Sequence, residues 1–496
     1  MKKDNLNIYP VPDGIAVRDD FTVYVRLDGE EQWHEAVCYE VKVDMHDVRR
    51  ASMVYFDFNG KVNVKIRFNN YMEIYQVDIR PKSRHIIPVF TEKEIYLDLD
   101  EPENLSIEVN RDRFHNLHLF AGDISDSVPE LQEENTLFLH GDFHKPAIHN
   151  ADELDRRLAQ MRAGRTLYFG PGIHYLEECI LKIPSDTNIY VEGGAVIVGG
   201  FVCDRVRNVR IYGKGVVHQA VFQRFCALRG VRISHSQNVR VEGLIFINPP
   251  HYTVYAGGSQ NILIGNIKSC SCEGWSDGID IMSSRNIVIA GVFMRNSDDC
   301  IALYGGRWDY HGDTRNIRVE HSALWADVAH PVNIGCHGDA GQGGNLIGDI
   351  VFRDVDILEH HEPQKQCMGC LCINAGDGNT VRNVRCEDIR IEQMEHGRLL
   401  DLRIIFGRYN SAPGKMIEKI YLKDIYYDGW GEETSQIGGD YEEIRVRNVT
   451  FDNLVVRGKV VDRAEAGNIH VGKDCSGIFF VQGAATEPQF GKEYGT

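Results

Sequence analysis

The stretch Asn286-Ile287-Val288-Ile289 is one copy of a short phrase that recurs along most of the chain. Each copy begins with Asn or another polar residue and continues with alternating aliphatic residues. Successive copies start about 23 to 34 residues apart, with a longer gap before the last one. The other copies are Asn208-Val209-Arg210-Ile211, Asn238-Val239-Arg240-Val241, Asn261-Ile262-Leu263-Ile264, Asn316-Ile317-Arg318-Val319, Asp349-Ile350-Val351-Phe352, Asn383-Val384-Arg385-Cys386 and Asn448-Val449-Thr450-Phe451.

The length of this repeat predicts an all-β solenoid. A unit of a few short strands cannot bury its apolar face alone, but it can stack on its neighbours as one coil of a parallel β-helix. The 48 glycines and only 15 prolines favour this architecture, because tight corners need positive φ angles and proline removes ladder donors. A leucine-rich array or a propeller is the alternative, but the chain has neither a regular leucine pattern nor a Trp-Asp period.

The segments before the repeats have a different pattern. Short alternating runs between Cys38 and Asn110 predict the half-buried strands of an antiparallel β-sandwich. Asn150 precedes an acidic first turn, which predicts an N-capped helix at about Asp152 to Met161 that covers the open first coil. The predicted division is a β-sandwich at 1–125, a linker at 126–145 and a parallel β-helix at 146–496.

Composition excludes some partners. A formal charge of -18 argues against binding nucleic acid or an anionic membrane surface. The positive start at Met1 is not followed by an apolar run, and no apolar segment is long enough for a membrane span. We therefore expect a cytoplasmic protein, with no prediction of its oligomeric state.

The 13 cysteines are scattered without paired spacing, which indicates reduced thiols. Cys367, Cys370 and Cys372 form a Cys-x-x-Cys-x-Cys run, but the intervening residues alternate as in a strand and no second ligand pair follows at finger spacing. We expect packed thiols there, with no metal and no cofactor.

Two acidic motifs carry the chemistry. Aligning the aliphatic residues of Asp277-Gly278-Ile279-Asp280 with those after Asp298 and Asp299 places Asp277 directly over Asp299, and stacked strands lie only ~4.8 Å apart. Glycoside hydrolysis needs such a pair, since one carboxyl protonates the leaving oxygen and another activates water. Adjacent Asp298 and Asp299 can both line a groove only if the chain bends or bulges there.

Two other interpretations of these aspartates stay open. Each could cap a turn, which Asp commonly does, or a carboxylate pair could hold calcium. The joint spacing of the two motifs favours the catalytic interpretation.

Several other residues could support a sugar site. The same alignment places His330 above Asp299, where it could orient the carboxylate, and His337 follows in a Gly-rich loop. Aromatic platforms and Arg groups are typical of sugar binding. The candidates of these types are Trp275, Tyr304, Arg307, Trp308, His311 and Arg403.

The Asp-Gly-Ile-Asp motif, the Asp-Asp-Cys-Ile-Ala run and the phrases Gly213-Lys214-Gly215 and Asn248-Pro249-Pro250 resemble family 28 of the glycoside hydrolases, which includes polygalacturonases and rhamnogalacturonan hydrolases. The resemblance covers about residues 167–338. It implies a right-handed parallel β-helix and an inverting hydrolase without a metal. It also implies Asp299 as the general acid, with Asp277 and Asp298 activating water.

The chain departs from the family pattern in places. Trp275-Ser276 stands where the family usually has Asn-Thr, and its Gly-His-Gly and Arg-Ile-Lys motifs have no literal counterpart. The sandwich is similar in placement to that of family 49, the dextranases and isopullulanases. The sequence therefore predicts hydrolysis of a pectic oligosaccharide or polysaccharide, with an α-glucan as the second candidate substrate. A polysaccharide lyase and a sugar-binding protein without turnover remain further alternatives.

Overall fold

The computed structural model describes residues 5–124, 127–131, 133–224, 226–430 and 432–483. It confirms the all-β class: a β-sandwich precedes a right-handed parallel β-helix. Among these residues, no helix is long and apolar enough to cross a bilayer. The predicted linker begins at 126 and the predicted β-helix ends at 496, two positions outside the described residues.

The sandwich consists of two sheets that enclose one apolar core. One sheet contains Asn5–Ile8, Tyr39–Val43, Arg49–Asn59, Val77–Arg80, Glu103–Val109 and Asp112–Asp123. The other contains Phe21–Leu27, His34–Ala36, Val62–Phe68, Val89–Phe90 and Glu94–Leu99. The pairing is antiparallel, as predicted, except that Asp112–Asp123 runs parallel to Arg49–Asn59.

The β-helix is one continuous stack of short strands in parallel register. Its strands are Thr136–Leu139, Ala147–His149, Arg165–Phe169, Gly172–Lys182, Thr187–Val191, Ala195–Asp204, Arg207–Gly213, Val216–His218, Val231–Ser234, Gln237–Glu242, Ile245–Ile247, Val254–Gly257, Gln260–Gly265, Lys268–Cys270, Ile279–Met282, Arg285–Ala290, Phe293–Ser297, Ile301–Tyr304, Thr314–Val328, Val332–Ile334, Leu346–Glu359, Gly369–Ala375, Thr380–Ile391, Gly397–Ile404, Met416–Tyr427, Glu432–Glu433, Ser435–Ile437, Val446–Val456, Lys459–Val460, Ile469–Val471 and Cys475–Val481. Short 3₁₀ turns occur at Lys82–Arg84, Ala340–Gln342 and Ala464–Gly467.

The Asn residues that open the repeats turn the chain at one corner of each coil. Asn286 has a φ of 58° and Asn261 has a φ of 57°, a left-handed conformation that Asn tolerates better than most residues. The amides also form a ladder: Nδ2 of Asn286 donates to Oδ1 of Asn261 at 2.9 Å, and Asn316 donates to Asn286 at 2.8 Å. The repeated Asn therefore sets both the backbone corner and a contact between coils.

The aliphatic residue after each corner points inward and stacks on its counterpart in the next coil. Ile262 pairs with Ile287, and Ile287 pairs with Ile317. The long gap between the last two copies contains one more coil, which begins at Lys419 with a φ of 58°. The sequence pattern missed this coil because Lys replaces Asn at the corner.

The capping helix lies at Ala151–Gln160, and the side chain of Asn150 accepts a hydrogen bond from the Glu153 amide at 2.9 Å. Leu154 and Leu158 pack into the apolar core of the β-helix, as the sequence predicts. One boundary differs: Thr136–Leu139 already pairs with the next coil, although it lies inside the predicted linker. The sequence pattern did not predict this strand, because polar residues surround it.

The sandwich also packs against the side of the β-helix. An apolar cluster joins residues such as Met53 and Phe120 to Phe293 and Trp325. Beside it, the fully buried Arg295 donates to Asp327 at 2.9 and 3.0 Å and to Asn116 of the sandwich at 2.9 Å. Because a buried charge needs all of these partners, the contact holds the sandwich and the β-helix in one relative position.

The corner ladder can be tested by replacing Asn286. Asn286→Gly keeps the left-handed backbone but removes two exposed amide bonds, so we expect a loss of about 0.5–1 kcal/mol in the free energy of unfolding. Asn286→Ala adds the left-handed penalty of about 1–2 kcal/mol. Urea unfolding of both variants measures the difference, and equal midpoints would contradict the role of the backbone corner.

Candidate active site

The two acidic motifs lie on adjacent coils in the predicted register. Ile279 pairs with Ile301 and Ile281 with Leu303, and the next coil continues with Val332 over Ile301. Gly278 permits the close approach, because a Cβ there would lie 2.3 Å from the carbonyl oxygen of Cys300. The aspartates therefore project from neighbouring coils at the same height.

The chain bends where the sequence requires it. Asp298 lies at a bend between the strands Phe293–Ser297 and Ile301–Tyr304, so neither aspartate belongs to a regular strand. The sandwich supports this bend, because the amide of Met45 donates to the Ser297 hydroxyl at 3.1 Å. Both aspartates consequently face the same pocket.

Asp277, Asp298 and Asp299 form one carboxylate cluster. One oxygen of each side chain lies within 4.8 Å of the others. Asp277 is 3% exposed and Asp299 is 4% exposed. Three acids this close and this buried cannot all ionise easily, so at least one of them holds a proton.

Asp299 is the best-supported anion of the cluster. Its Oδ1 accepts from the amide and from Nδ1 of His330, at 3.1 and 2.6 Å. Its Oδ2 accepts from Asn333 at 2.7 Å and from the Tyr304 hydroxyl at 3.1 Å. Burial alone would raise the pKa of Asp299, but His330 and Asn333 hold it below its ordinary value.

These contacts favour Asp299 as the anion of the cluster, whereas the family resemblance implies it as the general acid. A general acid must carry a proton, whereas both oxygens of Asp299 accept hydrogen bonds and its carboxylate is stabilised as the anion.

Asp298 and Asp277 have the opposite character. Burial and the charge of Asp299 raise the pKa of Asp298 to about 6, although it accepts from the amides of Trp275 and Asp299. Burial and neighbouring acids raise the pKa of Asp277 well above its ordinary value. Oδ1 of Asp277 is buried without a hydrogen-bond partner among the described residues.

Asp280 lies behind the cluster and does not line the pocket. It is fully buried, and neither of its oxygens has a hydrogen-bond partner among the described residues. Burial raises the pKa of Asp280 well above its ordinary value, partly offset by Arg307. The charge of Asp280 contributes to the raised pKa of Asp277.

His330 connects the cluster to the next coil. Its Nε2 lies 2.6 Å from the carbonyl oxygen of Cys367, while Nδ1 faces Asp299. Burial would lower the pKa of His330, but the thiols of Cys367 and Cys372 and the Asp299 carboxylate raise it well above its ordinary value. Both ring nitrogens therefore face acceptors, as in a protonated imidazolium.

The carboxylates open into a pocket of about 440 Å³ that adjoins a second cavity of about 540 Å³. Trp275 lines the first cavity and is 49% exposed. Arg403 lines the second, where it is paired with Asp401 and donates to the Gln366 carbonyl. Such a continuous concave surface with aromatic and polar walls fits an oligosaccharide.

Arg307 is an arginine of the pocket wall whose charge acts on Asp277 and Asp280. Its guanidinium lies 4.9 Å from the ring centre of Tyr304 and 5.7 Å from that of Tyr252. No ion pair or side-chain hydrogen bond of Arg307 occurs within the described part of the chain. The guanidinium is therefore available to an anionic ligand.

The other predicted side chains are spread around the pocket. His337 lies in the pocket wall with its ring 4.9 Å from that of Tyr304, and burial lowers its pKa to about 3. Trp308 stacks on Tyr252 and does not line the pocket itself. His311 is outside the pocket, where it contacts Asp339 at 2.8 Å.

Sequence reasoning missed several pocket residues. The alignment of the coils could have predicted Asn333, because Asn333 follows the inward-facing Val332 and therefore faces outward. Glu362 and Arg408 come from loops and Met45 comes from the sandwich, so no periodic signal marks them. Burial raises the pKa of Glu362 to about 7.

Residues 212–475, more than half of the chain, match the family described as Glycosyl hydrolases family 28. Among curated proteins, a probable endo-xylogalacturonan hydrolase A of Aspergillus fumigatus is 22% identical over 60% of this chain and 77% of its own length. A probable endopolygalacturonase D of Neosartorya fischeri is 24% identical over 46% of this chain and 43% of its own length.

Two solved structures show the same fold. Dex49A from Penicillium minioluteum superposes with a TM-score of 0.68 at 15% identity, covering 96% of both chains and therefore the sandwich as well. The family 28 exopolygalacturonase of Yersinia enterocolitica superposes with a TM-score of 0.50 at 11% identity, covering 87% of this chain and 98% of its own. The carboxylate cluster and the match over residues 212–475 lead to one conclusion: the chain belongs to glycosyl hydrolases family 28 and is a glycoside hydrolase.

Proposed function

We propose that the protein hydrolyses the glycosidic bonds of a pectic, galacturonide-type oligosaccharide with inversion at the anomeric carbon. The observation that carries the proposal is the cluster of Asp277, Asp298 and Asp299, whose oxygens lie within 4.8 Å of one another in a pocket. The pectic substrates in the names of the curated relatives support the substrate class.

Asp298 is the proposed general acid. It lines the pocket, and a pKa of about 6 lets it hold a proton in mildly acidic solution and release it to a leaving oxygen. Asp299 is less suited to this role, because His330 and Asn333 stabilise its anion. The negative charge of Asp299 instead helps to keep the proton on Asp298.

Asp299 and Asp277 are the proposed water-activating pair. Asp299 supplies the ionised carboxylate that accepts the proton from water. The unpartnered Oδ1 of Asp277 can hold the same water on its other side. His330 acts on Asp299 as a positioning residue and stabilises its charge.

The stereochemical proposal rests on the family. The resemblance to family 28 implies inversion at the anomeric carbon, in which one carboxyl group protonates the leaving oxygen and another activates water on the opposite face of the sugar. The first product anomer, followed by proton NMR, should be the inverted one, and a retained anomer would contradict a single displacement.

The charge of the pocket wall supports an acidic sugar. Arg224, Arg307 and Arg408 line the pocket, and a guanidinium can bind a uronate carboxylate through charge-assisted hydrogen bonds. An α-glucan offers no such group. It remains the alternative substrate because Dex49A shares the fold of both domains.

Substrates with different leaving groups distinguish the general acid from the base. Asp298→Asn should lower kcat on a natural oligosaccharide by about 10²–10⁴-fold, but much less on an aryl glycoside whose leaving group needs no proton. Asp299→Asn should lose activity on both substrates. Rescue of Asp299→Asn by the aryl glycoside, with no rescue of Asp298→Asn, would return the acid role to Asp299.

The same assignment predicts a pH dependence. Because the acid must be protonated, kcat/KM should fall as pH rises above about 6, the pKa of Asp298. In Asp298→Asn, assayed on the aryl glycoside, this fall should disappear. A fall that persists unchanged in the variant would assign it to another group.

A substrate panel tests the role of Arg307. Arg307→Met removes the charge but keeps an unbranched side chain, so we expect at least a tenfold rise in KM for galacturonide oligosaccharides. Arg447→Met, at a surface ion pair with Glu418, is the matched control and should leave KM unchanged. Turnover of dextran or pullulan oligosaccharides in place of galacturonides would replace the pectic proposal with the α-glucan one.

A further inference from the structure

We propose that Cys367, Cys372 and His330 form a binding site for a thiophilic divalent cation such as Zn²⁺, directly behind the carboxylate cluster. One donor atom of each residue, two sulfurs and one ring nitrogen, lies within 4.8 Å of the others. The site is separate from the three carboxylates and uses donors of different chemistry.

The contacts within the group show how tightly it is assembled. The sulfur of Cys367 lies 3.3 Å from Nε2 of His330. The sulfur of Cys372 accepts a hydrogen bond from Nδ2 of Asn374 at 3.1 Å and lies beside the other two donors. A Zn²⁺ ion with bonds of about 2.3 Å to sulfur and 2.0–2.1 Å to nitrogen needs its donors roughly this far apart.

The fold brings the three residues together from two coils. His330 precedes the strand Val332–Ile334, and Cys372 lies in the next strand, where it pairs with Asn333. Cys367 comes from the loop before that strand. This set differs from the sequence motif, because Cys370 is buried in the apolar core and the third ligand is a distant histidine.

The donor types select the cation. Two cysteines and one histidine are ligands that bind Zn²⁺ strongly, whereas Ca²⁺ and Mg²⁺ require oxygen. Cys367 and His330 also line the catalytic pocket, so an ion has a route of entry. A fourth position of a tetrahedral ion is left for water.

His330 is already oriented for this role. Its Nδ1 faces Asp299 at 2.6 Å, which leaves Nε2 on the side of the thiols. A metal-binding histidine typically donates its other N–H to a carboxylate, which fixes the ring and strengthens the metal bond. Binding would replace the Nε2 proton that now faces the Cys367 carbonyl and would keep the bond to Asp299.

Cobalt binding to the reduced, chelator-treated full-length protein tests the proposal. We expect one equivalent of Co²⁺ with a thiolate-to-cobalt charge-transfer band, displaced by Zn²⁺. Cys372→Ala should lower the intensity of the band, because one of the two thiolates is lost, and weaken Zn²⁺ binding at least about tenfold, the loss typical of removing even an outer-shell partner. Cys370→Ala, at the neighbouring core thiol, is the matched control and should retain both.

Each other outcome overturns the proposal. Co²⁺ that binds without the charge-transfer band, and is lost in Asp277→Asn, would place the ion on the carboxylates. Absence of binding at micromolar protein and metal would remove the site altogether. If Cys372→Ala does not fold, Cys367→Ser, a variant of the loop cysteine, is used in its place. An unchanged band in that folded variant contradicts the site.

Discussion

The parallel register of the coils is the constraint on which the rest of the structure depends. Each coil starts at a left-handed corner, and Asn at that corner both tolerates the backbone and bonds to the coil before it. The inward aliphatic residues then stack in columns, such as Ile262, Ile287 and Ile317. Because a shift of one residue would turn these columns outward, the register is fixed, and residues far apart in sequence meet at defined heights.

The active site uses this fixed spacing to create unequal acids. Three carboxylates are held close together at buried positions, where water screens their mutual repulsion poorly. His330 and Asn333 stabilise only Asp299 as an anion, and its charge then opposes ionisation of Asp277 and Asp298. A difference in hydrogen-bond partners thus becomes a difference in protonation, which acid and base catalysis both require.

The sandwich contributes to the site as well as to stability. Met45 bonds to Ser297 at the bend that presents the two adjacent aspartates, and Asn248 exchanges hydrogen bonds with Lys42 at 3.1 and 2.8 Å. Asn248 belongs to one of the phrases that first indicated the family, and its side chain contacts the other domain. Part of the family resemblance therefore lies at the interface that supports this bend.

Periodicity, which is a local property of the chain, was enough to predict the solenoid, the capping helix and the alignment of Asp277 with Asp299. Which of the adjacent aspartates is held as the anion depends on a bend of the chain and on donors from another coil, so it follows from the folded structure alone. The coil that begins at Lys419 and the pocket contribution of Met45 also had no periodic signal. Protonation depends on burial and on the neighbours of each group in space, so no one-dimensional pattern could assign it.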